Sequence, residues 1–445
     1  MSFRSRTIVS AFSVALLCVL SANAADDWPQ FRGPQGDGTA NASTAVEISA
    51  KNTVWKTAIP GAGWSSPVVS DGKIWITTAE TSKASREQIA KKTAGVQFAQ
   101  MKTVAGRVKL RALCVDLESG KILHDLLLKD ISDPELSHPL NSYASPTAAI
   151  SGDRVVCHFG NYGTWCLDKT SGKTLWENAL VVDHSVGPGS SPVIADGIVL
   201  IVCDGIDKQF VAGLNLETGK QVWKTPRPGY RKSNGEFRKA YSTPLLIKVG
   251  QQVQAVVPGA QWVCAYEPQT GKEIWRADCG DGFSTTPMAI YEAGLVVIST
   301  GFMAPELVGI NPEGSGDITK TNIVWRARKG GSTMPTAVGH NGMVYSLSDG
   351  GVLTVMAAKD GKILDQERVG GKFCASPLMA GGKLYFGSQE GVLSVYGVKE
   401  ANGSQQMPKV LAKNKLDGAL MASPAVIGSD LIIRTSKSLM RVKPE

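Results

Sequence analysis

The chain has 445 residues, of which 43% are hydrophobic and 19% charged, with 48 Gly, 22 Pro and 10 Trp beside 11 Phe. That apolar fraction excludes a disordered chain, and the only long apolar run lies at the N-terminus, which excludes a polytopic membrane protein. A formal net charge of +8 is too small an excess over this length to mark a nucleic-acid binder, and none is expected.

Arg4 and Arg6 precede the apolar run Ile8 to Leu20, which ends at Ser21-Ala22-Asn23-Ala24. A basic start, a short apolar core and an Ala-x-Ala site read as an export signal over residues 1–24, cleaved after Ala24. The core is shorter than the roughly 20 residues a spanning helix needs, so the product is expected to be periplasmic or secreted and not membrane-spanning. Leu17 before Cys18 is not the small residue a lipoprotein signal wants. Seven cysteines follow, at 114, 157, 166, 203, 264, 279 and 374, with none adjacent and none in a C-x-x-C spacing. No zinc ribbon, redox motif or covalent haem is signalled. No disulfide framework is expected; the best-placed pair is Cys157 with Cys166.

After residues 25–52, read as an N-terminal extension, a Ser/Thr-rich tripeptide ending in Pro recurs through residues 53–445. The markers are Pro67, Pro146, Pro192, Pro244, Pro287, Pro335, Pro377 and Pro424, at intervals of 79, 46, 52, 43, 48, 42 and 47. A fixed period of about 46 residues is the signature of a propeller or solenoid. Each unit runs from its Pro through a short apolar stretch, an Asp-Gly or Gly-Gly turn, and two further β-rich runs. A closing motif then places Gly seventh and Trp eleventh: Cys166 to Trp176 with Gly172, Gly213 to Trp223 with Gly219, and Ala265 to Trp275 with Gly271. Cys114 to His124 and Val355 to Asp365 are degenerate copies, and Gly309 to Trp325 is stretched.

The unit is therefore four antiparallel strands, with Pro expected at the first position of its strand. The fold class expected is all-β, a single eight-bladed propeller, with seven blades plus an irregular unit as the alternative. The last unit holds three strands, and Val54 to Ala58, with Trp55, supplies the missing fourth to close the ring. Trp55, Trp176, Trp223, Trp275 and Trp325, with Gly172, Gly219 and Gly271, are read as docking residues that fill the wedge between blades. The long first interval places an insertion at 80–111, read over Ser82 to Ala105 as a helical excursion on the rim or a partner-docking arm.

The repeated A-x-D-x-x-T-G-K-x-x-W pattern resembles the tryptophan-docking repeat of the pyrroloquinoline quinone (PQQ)-like propeller superfamily. Asp27-Trp28-Pro29-Gln30-Phe31-Arg32-Gly33-Pro34 resembles the N-terminus of exported bacterial PQQ-binding-like repeat proteins, as do Asn141 to Pro146, Asp183 to Pro192 and Phe237 to Pro244. The resemblance covers roughly residues 26 to 445. It implies an eight-bladed fold and leaves two functions open. One is a quinoprotein alcohol or sugar dehydrogenase, with PQQ on a Trp, Ca²⁺ on acidic and amide oxygens and an Asp base. The other is a non-catalytic scaffold. Vicinal cysteines and a haem motif are missing, no Ca²⁺ ligands align, and no cofactor is expected on the second reading, which is preferred.

Binding on that reading falls to the loops that feed each innermost strand. Three places before the marker stand Trp64, Tyr143 and Tyr241, with Asn141, His184 and Arg238 nearby as polar candidates. The run Thr225 to Tyr241 mixes basic and aromatic residues and could grip an anionic polymer or an acidic protein loop. Asp204-Gly205-Ile206-Asp207 reads as turn chemistry rather than a Ca²⁺ loop, and the five His show no metal spacing. The expectation is a monomer that binds an envelope protein or a small or polymeric ligand through one propeller face. No catalytic or metal residue is assigned.

Overall fold

The computed structural model describes residues 27–445 apart from 304, 399, 402, 403 and 406, so the expected leader lies outside the described residues. The tight turns and short β-rich runs pair as eight four-stranded antiparallel sheets, numbered here as blades 1 to 8 in chain order. Blade 3 is representative, with Val193–Ala195, Ile198–Asp204, Gln209–Asn215 and Gln221–Pro226 running from axis to rim. Blade 8 is split. Ala425–Ile427, Asp430–Arg434 and Ser438–Val442 are completed by Thr53–Ala58, antiparallel to Ser438–Val442. This join leaves no open edge in the ring and makes blade 8 depend on both ends of the chain.

The marker prolines do not begin their strands. Each inner strand starts one or more residues later, and what stands at a constant place is a hydroxyl two residues before it. Ser66 N–H donates to Thr147 Oγ1, Thr147 to Ser191 and Ser191 to Thr243, each at 2.9 Å. Met288 donates to Thr336, Thr336 to Ser376, Ser376 to Ser423, and Ser423 back to Ser66, at 2.9–3.1 Å. This circuit ties seven of the eight blade junctions around the axis. Met288 has no hydroxyl and breaks it, and there Ser242 Oγ reaches the Pro287 carbonyl instead at 2.9 Å. In blades 2, 5 and 6 the Pro precedes the ring position; in the others it follows.

Every outer strand carries a β-bulge one residue before the Trp slot: Val54, Leu123, Leu175, Val222, Ile274, Val324, Leu364 and Leu411. A bulge breaks the period-2 alternation and re-aims the next side chain. The Trp thereby meets the neighbouring blade, while seven of the eight bulged residues face outward, Ile274 instead packing against the core. Trp55, Trp176, Trp223 and Trp325 donate their indole N–H to the carbonyls of Leu117, Leu216, Pro268 and Ala358, at 2.7–3.0 Å. Each ring lies on a glycine of the next blade: Gly120, Gly219, Gly271 and Gly361. His124 occupies the slot in blade 1, beside Gly172, with Nε2 2.8 Å from the Thr170 carbonyl. Trp275 differs. It is wholly buried between blades 4 and 5 and donates to Gln254 Oε1 within its own blade, at 2.7 Å.

Gly219 has φ 68°, and a Cβ there would sit 2.5 Å from the Trp176 indole. Gly219→Ala is expected to cost about 2–3 kcal/mol, from overpacking and left-handed backbone strain together. The midpoint of urea unfolding measures it, and a cost below about 0.5 kcal/mol, the range of a neutral surface change, would remove the wedge from the account of stability.

The extension does not lie outside the ring. Trp28 pairs antiparallel with Val69 of blade 1, Ile150 N–H donates to the Pro29 carbonyl, and Thr39–Ala40 runs parallel to the inner strand of blade 7. Between them Arg32, 2% exposed, donates to the carbonyls of Asp37, Ala337 and Pro377. Residues 27–40 thus plug the axial channel. The insertion differs from the expected helical excursion: Lys73–Lys83 and Ala105–Asp116 absorb much of it as longer strands, leaving an eight-residue helix, Arg86–Thr93, capped by Ser85 and Gln88. All seven described cysteines are free. Cys157 packs toward blade 1 and Cys166 toward blade 3, on opposite faces of their sheet, which keeps that pair apart.

Candidate functional site

The loops from each outer strand to the next inner strand, and the turns between second and third strands, emerge on one face, the funnel face. The insertion of blade 1 rises there as a strap, residues 84–104, and leans over the loops of blades 2 and 3. Thr103 and Ser137 exchange backbone hydrogen bonds, Lys92 pairs with Asp133 at 2.8 Å, and Asn234 donates to Gln97 at 3.1 Å. Lys102, with its side chain only 5% exposed, donates to Ser185 Oγ at 2.9 Å and pairs with Glu236 at 3.3 Å. Lys239 pairs with Glu236 from the other side, and Ser185 Oγ donates to Glu236 at 2.9 Å. Two lysines thus hold one carboxylate, and only one of them belongs to the strap.

Under the strap lies a cavity of about 480 Å³, lined by Val96, Leu136 and Ile206 among apolar residues and by Lys102, Glu135, Asp183 and Glu236 among charged ones. Burial, with Asp183 and Asp207 nearby, pushes the Glu135 carboxyl up to about 7. Ser185, at the cavity wall, holds a left-handed φ of 65°, the kind of local strain that surrounding structure must impose.

Most of the residues singled out from the sequence serve to build these loops. Tyr143 and Tyr241 are buried, and their hydroxyls donate to the carbonyls of Glu135 and His184, at 2.6 and 2.7 Å. They are not an open aromatic rim, and the axial circuit shows that Tyr143 is also two residues out of register with Trp64 and Tyr241. Asn141 spends its amide N–H groups on the carbonyls of Val186 and Pro188 and its oxygen on Ser142 and Ser145. His184 is buried against Tyr241, and burial lowers it to about 4. Arg238 donates to the Lys232 carbonyl at 2.7 Å. Trp64 remains half-buried, its indole N–H without a partner.

Four of the five basic residues in the run Thr225 to Tyr241 meet carboxylates within the fold. Arg227 forms a buried pair with Asp204 at 2.7 Å, Arg231 pairs with Asp278 and with Asp281, and Lys232 pairs with Asp281. Lys102, Ser185 and Glu236 were not legible as a site, because the strap residue and its partners lie more than 80 positions apart and no motif joins them.

The Asp204–Asp207 turn offers no free carboxylate pair to a Ca²⁺ ion. Both Asp204 oxygens are taken by Arg227, and Asp207 accepts from the Asp183 N–H and faces Lys208. Among the described residues no group of three or more His, Cys, Asp or Glu converges as a metal site.

Fold and repeat together define a PQQ-like eight-bladed propeller. A family model described as outer membrane protein assembly factor BamB matches residues 91–257, 207–317 and 259–441, and the chain belongs to that PQQ-repeat family. Two solved structures similar to it are quinohemoprotein alcohol dehydrogenases, from Comamonas testosteroni (13% identity, TM-score 0.59) and from Pseudomonas putida (12%, 0.60). Each alignment covers 94% of this chain and 80% of the other. A tetrathionate hydrolase of Acidithiobacillus ferrooxidans is 24% identical over 301 residues, 54% of this chain and 56% of that protein. The match thus spans little more than half of that relative, and likeness at these identities establishes the fold alone. Among the described residues no helix is long and apolar enough to cross a membrane.

Proposed function

We propose that this is an exported, non-catalytic binding or scaffold protein of the cell envelope, which takes its partner on the funnel face. The observation that carries this reading is the strap. It leaves a ring that is otherwise closed, is tethered over a mixed-charge cavity, and holds Ile89, Phe98 and Met101 at 44–45% exposure. Such large apolar side chains on an arm that contributes no buried residue to its own helix suit contact with a protein rather than a folding role. The family model, described for an assembly factor, agrees with a protein-binding role.

Photocrosslinking in the intact envelope tests the proposal, with the probe at Phe98 or Met101 and a control probe at Asp153, in a turn on the opposite face. The same protein adduct from both strap positions and none from Asp153 is expected. Stoichiometric PQQ binding with dye-linked alcohol oxidation by the purified chain would sink the reading in favour of the dehydrogenase, and so would adducts that do not distinguish the faces.

A further inference from the structure

The axial circuit supplies a register for the funnel rim that the marker prolines do not. Thr336 N–H donates to Ser376 Oγ and Ser376 N–H to Ser423 Oγ, each at 3.0 Å, so blades 6, 7 and 8 align residue for residue. Two places before those hydroxyls stand Met334, Cys374 and Met421, three sulfur side chains at one position in three consecutive blades. All three are half-buried, whereas the six other described cysteines are buried. Cys374 Sγ lies 3.5 Å from Met334 Sδ, and Gln389 Nε2 lies 3.1 Å from the same Sγ.

We propose that Met334, Cys374 and Met421 form a binding site for a soft monovalent cation, Cu(I), on the rim of the funnel. One thiolate and two thioethers are a soft donor set, and soft sulfur ligands select Cu(I) over Mg²⁺, Ca²⁺ or Mn²⁺. Zinc would want four ligands from Cys, His and carboxylate. The nearby Asp349 is occupied, bonding Thr333 through N–H and Oγ1 at 2.7 and 2.8 Å. With metal–sulfur bonds of about 2.3 Å, sulfurs 3.5 Å apart subtend roughly 100° at the ion. Opening to the 120° of a trigonal site moves them apart by about half an ångström. Met is unbranched with three rotatable bonds, so the thioethers can follow the ion. A packing role alone would be met by any apolar side chain and gives no reason for three sulfurs in register.

Cys374 would bind as its thiolate, so uptake exchanges a proton for the ion. The S–H bond breaks, an S–Cu bond forms, the proton goes to solvent, and no electron is transferred.

The test is anaerobic competition between the full chain and bathocuproine disulfonate for Cu(I), with circular dichroism and melting temperature confirming each variant's fold. One equivalent bound is expected. Cys374→Ser should weaken it at least 100-fold, and Met334→Leu or Met421→Leu about tenfold each, with volume nearly conserved. If Cys374→Ser does not fold, the double Met→Leu variant carries the test, with about 100-fold expected. A chain that takes no Cu(I), or binding that survives these substitutions, would each overturn the site.

Discussion

Arg227→Leu is expected to destabilise the propeller by about 3–5 kcal/mol, the cost of leaving a buried charge without its partner. Arg227 and Asp204 have side chains 1% and 0% exposed. The guanidinium donates through Nε and Nη2 to both carboxylate oxygens, and through Nη1 to the carbonyl of Val257. Burial alone would lower the arginine's pKa, yet beside Asp204 it is held well above its ordinary range. With leucine in place, Asp204 must either ionise without a counter-charge or take a proton, and Val257 loses its donor. Asp204→Asn alone should cost less, since an amide can still accept from Arg227. The double variant Asp204→Asn, Arg227→Leu should cost less than the sum of the singles, because it buries no unpaired charge. Denaturant midpoints for the three variants form the cycle; strict additivity would mean that the pair is not coupled. This experiment bears on function too, since Asp204 lies two residues from Ile206, which lines the strap cavity.

The repeat made the number of blades and the closing strand readable, because period and turn chemistry act locally. What it hid were features set between blades. Proline constrains its own φ and removes a donor, so it marks the approach to a strand without fixing register. Counting from Pro146 placed Tyr143 beside Trp64, while the Thr147 hydroxyl places it two residues away. The outer-strand bulges are invisible as a pattern, since Leu175 before Trp176 reads as ordinary apolar content. Trp275 carries the same motif as Trp223, yet the stretched loop of blade 5 gives it no equivalent carbonyl and it turns to Gln254. The plug was not legible in the sequence. Its physical reasons are that Arg32 needs three distant carbonyls, and that Gly33 and Gly38 leave room for Trp28 and for Arg32 itself. The strap cavity needed long-range pairs that no local signal encodes.

Acidification from about pH 6.5 to 4 should remove about 3 kcal/mol of stability through each of His158 and His184. Both are buried, and burial lowers them to about 3 and about 4 respectively. For a histidine whose folded pKa is depressed, the unfolded chain takes up a proton near pH 6.5 and the folded chain does not. The stabilisation is therefore complete above that value and is lost as pH falls toward the folded pKa. The two rings also oppose each other's protonation, since a charge on His184 further lowers His158. Glu135 works in the opposite sense. Its folded pKa of about 7 means that protonation on the way down from neutral favours the folded state, until the unfolded carboxyl titrates as well near pH 4.5. Glu135→Gln should therefore raise stability at pH 7 and steepen the acid loss, whereas His158→Asn with His184→Asn should flatten it. Urea unfolding at half-unit steps separates these slopes. An acid limb unchanged in the double histidine variant would assign the loss to surface carboxylates instead. The strap cavity and the His158–His184 layer beneath the funnel loops thus respond oppositely to acid, and a Glu135 carboxyl that titrates near neutrality makes the cavity's charge depend on the surrounding pH.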